Sequence, residues 1–348
     1  MASMRIATQV GYAGDVKQAV DQLVEMEKAG IDLVWVAEAY GIDAVSVMGY
    51  IAARTERIHI GAGILPLYSR TPTLIAMTAA GVDYLSGGRC ELGLGASGPQ
   101  VIEGFHGVPY DKPVARTREI IEICRKVWRR ERLEHEGPSY AVPLPADQGT
   151  GLGKPLKMIV HPVRSAIPIW VASLGAKNVE LTAELADGWL PILFVPERAD
   201  EVWGEPLAKG KANRAADLAP LEVAAGGLVA IGDDVEGLRE FVRPYVALYV
   251  GGMGAKGRNF YNDLAKRYGY EKEAELIQDL YLAGKKDEAA AAVPDGLLEG
   301  TTLVGSKGYV RDRLAAYKEA GVTVLNTTIV GPDPVATTAE LRELVDSV

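Results

Sequence analysis

Eight times along this chain a short apolar run is followed by a stretch with apolar residues at helical spacing. That alternation constrains the fold more than any single motif. Strand patterns occupy 5–10, 33–37, 58–64, 90–94, 168–172, 188–192, 222–231 and 322–329. Helical patterns follow over 15–29, 43–54, 71–85, 113–130, 177–186, 198–218, 307–320 and 336–346. Gly30 and Gly321 are placed to stop helices, Asp43 to start one, and Thr71-Pro72 is a cap followed by proline at the first helical position. Short apolar strands separated by helices pair in parallel, so the pattern predicts an α/β fold, a closed (β/α)8 TIM barrel. A doubly wound sheet is the alternative. The glycine fingerprint of a dinucleotide fold is absent after the first strand, where the chain reads Gly11-Tyr12-Ala13-Gly14.

Two stretches interrupt the alternation and are expected as insertions after strands 4 and 7. Residues 131–167 are rich in proline and glycine with little periodicity, suiting either a lid or a surface excursion. Residues 233–299 read as mostly helical, with a glycine break at Gly251-Gly252. A barrel commonly holds 348 residues in one unit, so 1–348 is expected to be a single domain carrying both insertions.

The net charge of −9 argues against a nucleic-acid surface, which would need a basic stripe. No apolar run is long enough to cross a bilayer, and the first residues lead straight into a strand pattern. No signal peptide is therefore expected, and the cytoplasm is the expected compartment. The four histidines, His59, His106, His135 and His161, have no metal-ligand spacing, and no Cys-x-x-Cys occurs, so no metal is expected. Cys90 and Cys124 fall at apolar spacing and are expected as buried thiols.

Chemistry in a barrel gathers where the strands end. After strand 4 the chain runs Gly95-Ala96-Ser97-Gly98, and after strand 5 Ser173-Leu174-Gly175-Ala176-Lys177-Asn178. Small residues admit a close backbone approach, so Ala96, Ser97 and Gly98 suit the floor under a flat or phosphorylated ligand. Gly175 to Asn178 open a helix, where free N–H groups and the helix dipole suit a phosphate; an ordinary strand-to-helix junction has the same appearance. Lys177 adds charge there or faces solvent. Glu38 is the one carboxylate at the first four strand ends. It suits proton exchange or hydrogen bonding to a ring edge, or else a salt bridge or cap. His106 lies just past the strand-4 loop, within reach of a substrate or simply hydrogen-bonded in its loop.

These residues resemble the bacterial luciferase-like flavin and deazaflavin oxidoreductases, in particular the coenzyme F420-dependent branch. The matching pieces are Leu33 to Glu38, Gly61-Ala62-Gly63-Ile64, Arg70-Thr71-Pro72, Leu85 to Arg89 with Leu92 to Gly95, Pro168 to Ala172, and Ala186-Asp187-Gly188-Trp189. The resemblance implies a tricyclic cofactor across the barrel mouth, backed by a non-proline cis bulge at Gly63-Ile64, with its phosphate at Gly175 to Asn178. It also implies homodimers. Sugar-phosphate and alcohol dehydrogenases of this kind often carry a histidine directly after the strand-2 acid. Here Ala39 and Tyr40 follow Glu38, and Gly98 stands where the sugar-phosphate enzymes place a carboxylate. Tyr40 is thus a substitute proton donor or a packing ring. The expected activity is hydride transfer between coenzyme F420 and a small organic substrate. The alternatives are an FMN-dependent monooxygenase and a barrel that binds a cofactor without turnover.

Overall fold

The computed structural model describes residues 3–11 and 14–348; Tyr12, read above at the first strand end, lies outside them. Eight parallel strands close on themselves: β1 (Arg5–Val10), β2 (Leu33–Val36), β3 (His59–Ala62), β4 (Cys90–Gly95), β5 (Ile169–Ala172), β6 (Gly188–Trp189), β7 (Glu222–Ile231) and β8 (Val324–Ile329). Each pairs with the next, and β8 returns to β1 with Arg5 opposite Val324. The (β/α)8 barrel expected from the alternation is the observed fold.

Strand alternation sends every second residue inward. At the strand starts Arg5, His59, Glu91, Trp170 and Glu222 come from five different strands and meet inside. The Glu91 carboxylate accepts from Arg5 at 2.7 Å, from His59 at 2.8 Å and from the Trp170 indole at 2.5 Å, while Arg5 also holds Glu222 at 2.8 Å. Glu91 is fully enclosed, and burial alone would raise its carboxyl, but His59 and Arg5 together hold it below the ordinary carboxylate range. Above this plug Trp35 and Trp170 meet edge to face at 5.3 Å. Three interior glycines make room for them. A Cβ at Gly61 would lie 2.3 Å from the Trp35 ring, at Gly63 2.9 Å from the Trp35 Cβ, and at Gly188 2.1 Å from the Trp170 ring.

Outside the ring the apolar faces of the helices cover the strands, with Cys90 and Cys124 both buried and unpaired among them. The helix starts are capped as the sequence requires, by Asp15, Asp43, Thr71, Ser306 and Asp333. Two details differ from the sequence reading. The sixth strand shrinks to two residues, and Leu303–Gly305, read only as a lead into a helix, adds a parallel strand to the end of β7 outside the ring.

Both insertions are fastened to the barrel. Within 131–167 a small hairpin pairs His135–Glu136 with Ala141–Val142, and Arg164 reaches Asp83 and the Cys90 carbonyl, each at 2.5 Å. Within 233–299 the glycine break proves to be a π-helical turn, Leu248–Gly252, followed by the helix Phe260–Arg267. Gly251 and Gly252 lie against the Tyr281 ring, where an added Cβ would come within 2.5 Å. Among the described residues no helix is long and apolar enough to cross a membrane.

Candidate active site at the barrel mouth

The backbone of β3 breaks at its end, and the Gly63–Ile64 peptide is cis. Beyond it Leu65–Pro66 resumes pairing, now with Leu94 and Gly95 of β4. The bulge brings β3 hard against β4, which explains two glycines of the strand-4 motif. A Cβ at Gly93 would stand 1.7 Å from the Ala62 carbonyl oxygen, and one at Gly95 2.7 Å from the Ile64 side chain. These glycines serve strand packing, and the residues that face outward at the mouth are Ala96, Ser97 and Gly98. Ser97 takes a positive φ of 57°, and its carbonyl accepts from the Tyr110 hydroxyl at 3.4 Å.

Next to β4, the end of β5, whose Ala172 pairs with Gly95, enters the helix Ala176–Leu185 through Gly175. No side chain caps this helix, and its first intrahelical donors are the N–H groups of Asn178 and Val179, both to Gly175. The Asn178 Oδ1 is enclosed with no partner. Ser173 is buried, its hydroxyl joined to Thr182 at 2.9 Å and its carbonyl to the Trp189 indole at 2.9 Å. The Leu174 carbonyl accepts from Trp203 and Arg267, each at 3.4 Å. Lys177 is exposed. The Phe260 ring lies 3.4 Å from where a Gly175 Cβ would be, so the second insertion reaches over this helix start.

Glu38 stands at the end of β2 in a fixed pair. Its two carboxylate oxygens accept from both terminal nitrogens of Arg70, at 2.5 Å and 2.9 Å, and one also accepts the Ala44 backbone N–H at 3.0 Å. Arg70 holds Asp43 as well, at 2.8 Å. The hydrogen bond it donates to Glu38 is the main reason that the Arg70 guanidinium sits above its ordinary pKa. Tyr40 is 68% exposed and leans on Phe105, the ring centres 6.0 Å apart. Phe105 meets His106 edge to face at 5.3 Å, and the His106 Nε2 is enclosed without a partner. Tyr40 and His106 thus share the β2–β4 side through Phe105, while Glu38 is tied to the β3 loop through Arg70.

Beside this pair lies a cavity of about 270 Å³ lined by Tyr68, Arg70, Arg116 and Tyr140, among others. Arg116 is sandwiched between the Tyr68 and Tyr140 rings, 5.2 Å from each. A larger cavity, about 660 Å³, lies past the end of β7, by Ile231, Ser306 and Lys307. Among the described residues no group of three or more His, Cys, Asp or Glu could hold a metal ion.

Sequence reading missed the partner of Glu38, because Arg70 is far along the chain and belonged to a motif read as a helix start. It also missed Phe260 and Tyr261, which sit in an insertion without strand periodicity. The only local signal there is Asn259, a helix-capping residue just before two aromatics.

Residues 1–324 match the family model described as luciferase-like monooxygenase. Over 346 residues the chain is 41% identical to a Mycobacterium tuberculosis protein named "Putative coenzyme F420-dependent oxidoreductase Rv3520c", covering 98% of this chain and 99% of that one. It is 27% identical to the 5,10-methylenetetrahydromethanopterin reductase of Archaeoglobus fulgidus, over 88% of each. The solved coenzyme F420-dependent tetrahydromethanopterin reductase of Methanopyrus kandleri superposes with a TM-score of 0.82 at 21% identity, covering 99% of both chains.

Proposed function

The chain belongs to the luciferase-like monooxygenase family, and from that membership we propose that it is a coenzyme F420-dependent oxidoreductase transferring hydride to or from a small organic substrate. The observation that carries this reading is a small-residue strand end, Ala96 to Gly98, directly beside an uncapped helix start at Gly175. The 41% identity to a relative named for coenzyme F420, over nearly the whole of both chains, supports the choice of cofactor.

The residues present fit such a group. The Ala176 and Lys177 N–H groups lie in the open first turn of a ten-residue helix, the place where an anion is favoured. Asn178 adds an enclosed amide oxygen without a partner; with its O and N exchanged, it offers an N–H donor instead. Gly175 keeps the approach short, and the Ser173 and Leu174 carbonyls accept from the Trp189 and Trp203 indoles. Gly63 and Ile64 would back the ring, and Ala96, Ser97 and Gly98 would border it. When bound, a deazaflavin supplies a carbon that accepts or donates hydride. The protein's share is to hold that carbon near the substrate and keep water out.

Glu38, Tyr40 and His106 are the polar groups on the substrate side. Glu38 acts there with Arg70 as a fixed ion pair, and His106 offers an enclosed ring nitrogen. We read 1–348 as one barrel domain acting in the cytoplasm as a homodimer. An exposed apolar stripe on the helix Pro72–Ser86, made by Leu74, Met77, Tyr84 and Leu85, supports the second copy.

Titration with coenzyme F420 and, separately, with FMN, followed by fluorescence, tests the reading. F420 should bind more tightly, and Gly175→Leu should weaken it at least tenfold by obstructing the helix start. Tighter binding of FMN, with oxygen consumption, would replace this reading by the monooxygenase one. Unchanged F420 affinity in the variant would remove the phosphate assignment.

A further inference from the structure

The residue after Phe260 is half-buried beside the β5 end of the mouth. Tyr261 occupies the first turn of the helix Phe260–Arg267, whose Asn259 cap is buried and accepts the Tyr261 N–H at 2.9 Å. Its ring stands edge to face against Tyr249, 4.8 Å between centres. Tyr110 acts on its phenol electrostatically, and the Tyr110 hydroxyl bonds the Ser97 carbonyl. Tyr261 therefore follows the residue that covers Gly175, at the end of β5 next to the Ser97 loop of β4. Its hydroxyl takes no hydrogen-bond partner among the described residues, and unlike the His106 Nε2 it is not sealed in.

The competing groups are committed or misplaced for a proton donor. The Glu38 carboxylate is filled by Arg70 and Ala44. The Tyr40 ring is mostly in solvent.

We propose that Tyr261 is a catalytic residue, donating a proton to the oxygen of a carbonyl substrate as that carbonyl is reduced. This rests on the F420-dependent reading above. The carbonyl carbon receives hydride from the reduced deazaflavin, and a C–H bond forms. The C=O π pair takes the proton of the Tyr261 hydroxyl, whose O–H bond breaks as the alcohol O–H forms. The substrate gains two electrons and the deazaflavin loses two, and water returns a proton to the phenolate. Burial raises the Tyr261 phenol above its ordinary pKa, with Tyr249 and Tyr110 adding to the effect, so the proton is in place across the neutral range. An alkoxide is a stronger base than a phenolate, so the transfer runs downhill. The aromatic wall of Tyr249 and Tyr261 favours a flat, uncharged ketone or aldehyde.

The test compares wild type with Tyr261→Phe, and with 2,3-difluorotyrosine placed at 261 as a second variant that keeps the hydroxyl. Reduced F420 is mixed in single turnovers with acetophenone, cyclohexanone and benzaldehyde, and cofactor affinity is read separately by fluorescence. Without cofactor, 13C-tyrosine NMR follows the Tyr261 resonance as benzamide, a carbonyl compound that resists reduction, is added. The expected result is a 100-fold or greater loss of rate in Tyr261→Phe, unchanged F420 affinity, measurable turnover in the difluorotyrosine protein, and a benzamide-dependent shift of the Tyr261 resonance. A Tyr261→Phe rate within threefold of wild type overturns the proposal while leaving the F420 reading intact. Loss of cofactor affinity in Tyr261→Phe also overturns it, since the residue is then structural. Failure of wild type to reduce any of the three carbonyls removes the substrate class, and failure to bind F420 at all removes both readings.

Discussion

Replacing Glu38 by Gln separates a positioning carboxylate from one that takes part in chemistry. In the structure this side chain is only 8% exposed, and Arg70, its bidentate partner, is 13% exposed. Removing one member of a buried ion pair costs about 3–5 kcal/mol when the other is left without compensation. Here Arg70 keeps Asp43 at 2.8 Å, and the Gln carbonyl still accepts one hydrogen bond. The loss reduces to one charge-assisted contact, about 1–3 kcal/mol. The Ala44 N–H, the first donor of the helix Ala44–Arg54, faces the amide in place of a full charge and adds to that loss.

Chemical denaturation gives the stability, and single-turnover mixing with reduced F420 gives the rate per folded molecule. Glu38→Gln should lower stability by the stated amount and change the hydride-transfer rate less than threefold. Arg70→Met should be worse than Glu38→Gln, because it strands two carboxylates. The double variant should recover part of that difference, showing coupling between the two sites. A tenfold fall in rate, about 1.4 kcal/mol in the barrier, with stability unchanged would refute this reasoning and put the Glu38 carboxylate at the reacting atoms.

Gly93→Ala should be destabilised by about 3 kcal/mol or more, because its methyl would stand 1.7 Å from a backbone oxygen that no side-chain motion can clear; the melting temperature checks this. Glu91→Gln should cost about 1–3 kcal/mol at neutral pH, because Arg5 keeps Glu222 but loses a charge-assisted contact and His59 loses its carboxylate. Since the folded Glu91 carboxyl is held below its unfolded value, its stabilisation is present above that value and lost as pH falls through the folded one. The variant should therefore lose less stability on acidification than wild type, as denaturation at a series of pH values would show. Asn259→Ala removes the cap of one helix and uncovers the Tyr249 and Val250 carbonyls, about 3 kcal/mol together. Hydrogen exchange should quicken over 248–264 well before the barrel strands respond.

The barrel was legible because its determinants are local. Each strand is a short apolar run, and several helix starts carry their own caps, as Asp43 and Thr71 do. Gly175 could be read as a helix start for the same reason. The inward-facing pattern was harder, since Gly61, Gly93 and Gly188 look alike in the chain yet accommodate Trp35, the Ala62 carbonyl and Trp170 respectively. The Glu38–Arg70 pair was out of reach because it joins the segments after β2 and β3, thirty-two residues apart in the chain and brought together only by strand pairing. The π-helical turn was visible as a glycine pair, but glycine marks a break without saying which kind, and the Tyr281 ring that fills the space lies about thirty residues on.

The second insertion connects the two halves of the site through three consecutive residues. Asn259, buried, fixes the turn by bonding the carbonyls of Tyr249 and Val250 and capping the helix that follows. Phe260 then lies against Gly175, where the phosphate is proposed, and Tyr261 lies against Tyr249 and near Tyr110, where the substrate is proposed. Both side chains leave the same helix turn, so a shift of its backbone moves both. Arg267 at the far end of the same helix donates to the Leu174 carbonyl, so both ends of this short helix touch the β5 side of the mouth. A cofactor that orders the Gly175 turn therefore also orders the residue proposed to protonate the substrate. Cofactor binding and substrate positioning become one event, a coupling in which each ligand favours the arrangement that the other needs.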